Sequence, residues 1–340
     1  MKSIVCDEPE HLRFQEIDEP VLTQGTAVVR VRRIGICGTD LHAYKGKQPF
    51  FSYPRILGHE LAGIIEEMDE KGTGGTGLQV GDQVSIIPYM HCGTCIACRN
   101  GKTNCCTGMQ VFGVHIDGGM RERICVPLSH LIKTKGLTLD QTVLLEPLSI
   151  GMHAIRRSEL RAGEVVLVIG AGPIGLGVMA FAKQQGATVI AMDVNEERLQ
   201  FCKSWAGVDH TVNARLEAYE QILALTGGDL PVIVYDATGN QSSMTDAFRY
   251  VGHGGKLVYV GLVRENISFN DPEFHKREMT LLGSRNAVLE DFEKVMAALR
   301  SGAVDVKPYI THRVPFEEMI AHFDRWLLPE ERVIKAVVEL

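Results

Sequence analysis

Val165-Val166-Leu167-Val168-Ile169-Gly170-Ala171-Gly172-Pro173-Ile174-Gly175 reads as a strand that turns on glycine into a helix. The continuous apolar run Val165 to Ile169 is typical of a parallel strand buried on both faces. Gly170 permits a tight turn, Gly172 lets the backbone approach a pyrophosphate, and Gly175 allows the helix to pack closely on the strand. The pattern G-x-G-x-x-G alone is weak, because glycines recur in turns; its place between a buried strand and a helix makes it informative. The helix, through about Gln185, opens at Pro173 and Ile174 and would face phosphates with the partial positive charge and the unpaired N–H groups of its first turn, Ile174 onward, since Pro173 itself has no N–H to give. A second buried strand, Thr188 to Met192, completes a β-α-β unit and is closed by Asp193, whose carboxylate can accept from the adenosine ribose hydroxyls. The same carboxylate would repel a 2′-phosphate, so the expected cofactor is NAD and not NADP. Arg198 is near enough to complicate that choice and is kept as a cofactor candidate.

Later strands are expected at Val232 to Tyr235, Lys256 to Val260 and Thr280 to Leu282, with helical sequence between them. A run of β-α units makes a doubly wound parallel sheet, placed at residues 151–285. The preceding residues, 1–150, have another texture, with short β-rich runs punctuated by glycine. Ala27 to Arg33 alternates with period two, Leu61 to Glu67 and Gln83 to Ile87 are further strands, and Gly72, Gly74, Gly75 and Gly77 form a turn region. The tail, 286–340, carries a helix at Leu289 to Ser301 and a closing strand at Ile334 to Glu339, expected to return to the first domain. The chain is α/β, and 340 residues exceed one ordinary hydrophobic core.

Composition narrows the function classes. A formal net charge of −7 argues against nucleic acid or an anionic membrane as the main partner. No apolar stretch has spanning length, and the acidic start of the chain does not fit a signal peptide. The expected location is the cytoplasm.

In a reducing compartment, clustered cysteines read as metal ligands before disulfides. Cys92, Cys95, Cys98 and Cys106 supply four thiolates in one lobe, the donor set of a closed, structural zinc site. Cys105 competes with Cys106 for the fourth place. A second constellation is dispersed: Cys37 in Gly35-Ile36-Cys37-Gly38-Thr39-Asp40-Leu41-His42, His59 in Gly58-His59-Glu60, and Glu146 in Leu145-Glu146-Pro147. Taken singly, these read as an inert thiol, a core histidine and a helix-start carboxylate.

Together, GICGTDLH at 35–42, GHE at 58–60, the four-cysteine lobe, EPLSIGMHA at 146–154 and GAGPIG at 170–175 resemble the zinc-dependent medium-chain dehydrogenase/reductase family. The resemblance implies a GroES-like catalytic domain before the Rossmann domain, with the active site in the cleft between them, and a dimer or tetramer. It implies Cys37 and His59 as catalytic zinc ligands, with Glu146 where many alcohol dehydrogenases have cysteine. In the polyol branch Glu60 binds zinc directly while Glu146 acts through water, so both are candidates. Thr39 and His42 match the family's proton relay; Asp40 lies in the same motif without a role legible from sequence. A catalytic zinc keeps one coordination position open and acts as a Lewis acid on an alcohol oxygen, and the hydride passes to the nicotinamide.

Glu146 in place of cysteine points to polyols, sugar acids or amino-alcohols. The segments 48–55, 113–119, 271–276 and 283–287 resemble bacterial L-galactonate/L-gulonate 5-dehydrogenases. A sugar acid needs a cation for its carboxylate, and Lys47, Arg55, Arg264, Lys276 and Arg285 are candidates, Arg285 having a rival place beside the nicotinamide. Polyol and L-threonine dehydrogenases are the nearest alternatives. A non-enzymatic NAD-sensing protein is disfavoured by the intact Cys37, Thr39, His42, His59 and Glu60.

Overall fold

The computed structural model describes residues 1–48, 51–69 and 77–340, so Pro49, Phe50 and the glycines at 72, 74 and 75 lie outside the described residues. The chain forms two compact units, Met1–Glu146 with Met296–Leu340, and Pro147–Val295. Both junctions fall within helices, Leu145–Ser158 and Leu289–Arg300, where no glycine or proline run marks a boundary.

The contiguous unit is built on a six-stranded sheet. In spatial order the strands are His210–Asn213, Thr188–Asp193, Val165–Ile169, Ile233–Asp236, Lys256–Tyr259 and Thr280–Gly283, every neighbouring pair parallel. The strand order reverses beside Val165–Ile169, the switch point where a doubly wound sheet opens a ligand crevice at its carboxyl edge. Val166, Leu167 and Val168 are completely buried, as a run covered on both faces requires. Fully burying such a side chain contributes roughly 1.5–3 kcal/mol over leaving it exposed. Strand His210–Asn213 was not expected, because HTVN is short and polar and carries no apolar run to announce it. Within this unit, helix Pro173–Gln184 lies against the chain near Gly151, where an added Cβ would sit 2.7 Å from Gly177 backbone carbon.

In the first unit, strand Thr26–Ile36 pairs antiparallel with Glu60–Met68, Arg123–Pro127 and Lys335–Glu339. Gln83–Ile86 and Leu131–Lys133 extend the sheet on one side, and Ile310–Pro315 extends it on the other beside Lys335–Glu339. Ala336 stands opposite Ile36. That register delivers Lys335 to the end of strand Thr26–Ile36, immediately before Cys37. The core of this unit joins Val29, Val31 and Ile34 to Leu61, Ile65, Ile124, Val126, Phe323 and Val338.

Candidate metal and cofactor sites

Strand Thr26–Ile36 ends at Ile36, and Cys37 caps the following helix, Gly38–Tyr44. The buried Asp40 organises this corner. Its Oδ2 accepts from the Cys37 backbone N–H at 2.9 Å, and its Oδ1 accepts from the Gly58 N–H at 3.0 Å. Oδ1 also lies 3.6 Å from His59 Nδ1. One carboxylate therefore ties the segment bearing Cys37 to the segment bearing His59. Gly58 adopts φ +91°, a conformation that favours glycine, just before strand Glu60–Met68 begins.

Cys37, His59 and Glu60 each offer a ligand atom, and these atoms lie within 4.8 Å of one another. His59 Nδ1 is buried without a hydrogen-bond partner among the described residues. Burial opposes charge on His59, yet Asp40 and Cys37 raise its pKa well above the ordinary value. A buried pocket that draws positive charge this strongly, lined by thiol, imidazole and carboxylate, has the chemistry of a zinc site. Glu146, in the first turn of Leu145–Ser158, is buried beside the same groups. Burial pushes its carboxyl up to about 7, with His59 acting in the opposite direction.

Two further residues belong to this cluster. The buried Lys335 ammonium donates to both oxygens of Glu60, at 2.7 and 2.8 Å, and to the Ile36 carbonyl at 3.1 Å. Burial would lower its pKa, but Glu60 and Cys37 raise it. Its signal in the sequence is a lone lysine inside the apolar run VIKAVV, 333–338. Gly35 leaves room for the pair, since a Cβ there would sit 2.1 Å from Glu60 Oε2. The Tyr89 hydroxyl donates to Glu146 Oε1; nothing in the sequence around Tyr89 announces it.

Thr39 and His42 are three residues apart on Gly38–Tyr44 and so share a helix face. His42 has a lowered pKa, from partial desolvation first and the nearby Lys47 ammonium second. The other candidate cation in this unit, Arg55, is turned to Asp117 at 3.4 Å and Ser52 at 3.0 Å.

The four thiolates Cys92, Cys95, Cys98 and Cys106 gather in a second cluster, which Cys105, an exposed neighbour, does not join. Backbone N–H groups point at the sulfurs: Cys95 N to Cys92 Sγ at 3.3 Å, Cys98 N to Cys95 Sγ at 3.5 Å, and Cys92 N to Cys106 Sγ at 3.3 Å. The N–H of Cys98 lowers the Cys95 thiol to about 5, whereas burial and the neighbouring Cys95 sulfur push the Cys98 thiol up to about 12, as expected where sulfurs crowd together. Backbone donors favour thiolates, and four thiolates fit a closed zinc site.

In the other unit, Gly170 adopts φ +98° and a Cβ on Gly175 would sit 1.8 Å from the Gly170 carbonyl oxygen. A Cβ on Gly172, the N-cap before Pro173, would meet only open space, as a backbone that faces a ligand requires. Asp193 Oδ2 accepts from the Ala171 N–H at 2.6 Å and Oδ1 from the Asn195 N–H at 2.9 Å, so its carboxylate is aimed at the glycine turn. Ile174 and Arg198 are half-buried, while Arg264, Lys276 and Arg285 are exposed. Arg285 follows strand Thr280–Gly283 at the carboxyl edge of the sheet, and Lys276 is spent on Glu273 at 3.5 Å.

Residues 23–136 match the alcohol dehydrogenase GroES-like domain and residues 173–301 the zinc-binding dehydrogenase family. The chain is 40% identical over 338 residues to the L-galactonate-5-dehydrogenase of Escherichia coli K12, covering 99% of this chain and 98% of that protein. It is 36% identical over 322 residues to a zinc-type alcohol dehydrogenase-like protein of Haemophilus influenzae, with 94% and 93% covered. Among solved structures, an alcohol dehydrogenase of E. coli CFT073 complexed with NADH superposes with a TM-score of 0.93 at 29% identity, covering 100% of this chain and 99% of that one. No helix among the described residues is long and apolar enough to cross a membrane.

Proposed function

Because the chain belongs to the zinc-binding medium-chain dehydrogenase/reductase family and is a zinc- and NAD-dependent oxidoreductase acting on CH–OH groups, we propose that its substrate is a six-carbon L-aldonate, L-galactonate or L-gulonate, oxidised at C5. The observation that carries this reading is the likeness, over nearly the whole length, to an L-galactonate-5-dehydrogenase. Glu146 at the polyol-type position supports it. In this reading Cys37 and His59, with Glu60 or Glu146, hold a catalytic zinc, and Cys92, Cys95, Cys98 and Cys106 hold a structural one. When bound, zinc supplies Lewis acidity toward the substrate hydroxyl and NAD supplies the hydride acceptor. The glycine turn at 170–175 and Asp193 hold the pyrophosphate and ribose of the cofactor, with Arg198 and Arg285 as further contacts.

Asp40 keeps Cys37 and His59 in register, Lys335 neutralises Glu60, and Thr39 and His42 carry away the hydroxyl proton. Lys47, whose backbone N–H donates to the His42 carbonyl at 2.8 Å and which therefore follows the proposed proton relay directly in the chain, is the cation we assign to the substrate carboxylate. Its charge-assisted hydrogen bond is one that a neutral polyol cannot make. We further read the chain as a homo-oligomer, dimer or tetramer, working in the cytoplasm, a compartment whose reducing conditions suit thiolate ligands.

The test compares NAD reduction with L-galactonate, L-gulonate, sorbitol, galactitol and L-threonine at equal concentrations. An aldonate is expected to give the highest kcat/KM, and on the alkaline plateau of both pH profiles Lys47→Gln should raise KM for aldonates while leaving KM for sorbitol unchanged. Sorbitol or threonine outperforming both aldonates would remove the sugar-acid assignment.

A further inference from the structure

Tyr89 stands between the two clusters. It lies in the short strand Tyr89–Met90, which pairs antiparallel with Gln110–Val111. The four-thiolate lobe, Cys92 to Cys106, is the excursion of chain between those two strands. The Tyr89 backbone is held on several sides. It is laddered to Val111, and its carbonyl accepts from His130 Nε2 at 3.2 Å while His91 Nδ1 lies at 3.4 Å. His130 is fixed in turn by Ser129 Oγ, 3.0 Å from its Nδ1. The Tyr89 ring is buried, 4% exposed, and its hydroxyl ends on Glu146 Oε1. A buried carboxylate in the first turn of a helix has several rotamers open to it, and a directed donor on one oxygen selects among them.

We infer that Tyr89 is a positioning residue for the metal cluster: anchored by the ladder that closes the four-thiolate lobe, it fixes the carboxylate of Glu146 toward His59 and Glu60. This rests on the reading of Glu146 as part of the catalytic metal cluster. Partners that orient a ligand typically contribute about 10–100-fold to metal affinity when removed. The consequence is that the lobe, remote from chemistry by its closed donor set, supplies the wall against which one catalytic carboxylate is set.

The test is a chelator challenge of the zinc-loaded protein, with release followed by a colorimetric zinc indicator and folding by near-UV circular dichroism. Tyr89→Phe keeps the ring and removes only the donor. It should release one of its two zinc equivalents at least about tenfold faster than wild type and the other at the wild-type rate. Glu146→Ala should accelerate release of the same equivalent, and Tyr89→Phe added to Glu146→Ala should accelerate it no further. Wild-type release from Tyr89→Phe, with fast release from Glu146→Ala, overturns the role of Tyr89 and leaves Glu146 in the cluster. A full additional effect of Tyr89→Phe on the Glu146→Ala background overturns it as well. Wild-type release from Glu146→Ala removes Glu146 from the cluster and the positioning role with it. Should Tyr89→Phe lose its near-UV signal, 3-fluorotyrosine at position 89 takes its place. That side chain keeps the bulk and donates more strongly, so it should slow release; an unchanged or faster rate overturns the inference.

Discussion

The ammonium of Lys335 and the carboxylate of Glu60 meet where almost no water reaches, with side chains 2% and 0% exposed. Removing one partner of such a pair leaves an uncompensated buried charge, a loss that typically runs to about 3–5 kcal/mol. Lys335→Met should therefore lower the unfolding free energy extrapolated from urea melts by an amount of that order, and adding Glu60→Gln should recover part of it; an unchanged unfolding free energy in the single variant would contradict the pairing. His42 calls for a different measurement. Its neutral form accepts the proton, so kcat/KM for oxidation should rise with pH through its lowered pKa and level off above it. Taking away the Lys47 charge removes one cause of that lowering. The acid limb should move to higher pH in Lys47→Gln, whereas His42→Ala should lose about 10²–10⁴-fold in turnover with zinc content intact. Asp193→Ser should weaken NAD and improve NADP, read as the ratio of the two kcat/KM values; a wild type preferring NADP would refute the ribose role. Motifs of fixed spacing singled out Cys37 and His59, which converge within 4.8 Å, and Asp193, whose carboxylate accepts from the Ala171 N–H of the glycine turn. Lys335, Tyr89 and the role of Asp40 were hidden, because each acts across sequence separations that only the fold closes.

Secondary structure was most legible where one physical cause dominates. The strand Val165–Ile169 has the bounds its apolar run implies, because parallel strands covered on both faces tolerate nothing else. Helix Pro173–Gln184 ends one residue before Gln185, which caps it. Strand Ile310–Pro315 has no such signal, since ITHRVP mixes charged and apolar residues and half of it is exposed. The loop excursion between Tyr89–Met90 and Gln110–Val111 has no extended ladder of its own beyond that two-stranded pair. Its order depends on what joins the four sulfurs, and a structural zinc contributes directly to folding. Metal analysis of purified protein should return close to two zinc equivalents. Cys95→Ser should retain about one and aggregate on mild heating; a soluble Cys95→Ser protein with wild-type thermal stability would exclude a structural metal here.

For the whole molecule, the parallel sheet and its glycine turn were readable because residues 151–285 are contiguous in sequence, as is the unit Pro147–Val295 that contains them. The first unit was harder to read. Its sheet is assembled from both flanks of the other unit, with strand Lys335–Glu339 laid antiparallel on Thr26–Ile36. That seam has a temporal consequence. The pairing closes a loop that contains the entire second unit, and contacts of such long sequence separation are slow to form. Pro147–Val295 can condense on local contacts alone, whereas the unit around Thr26–Ile36 must wait for the chain to return. The two tryptophans make this order observable, because Trp205 lies in one unit and the buried Trp326 in the other. In stopped-flow refolding from urea, the Trp326→Phe variant, reporting through Trp205, should regain native fluorescence before Trp205→Phe, reporting through Trp326. The reverse order, or identical time courses, would mean that the returning strand docks early and templates the rest.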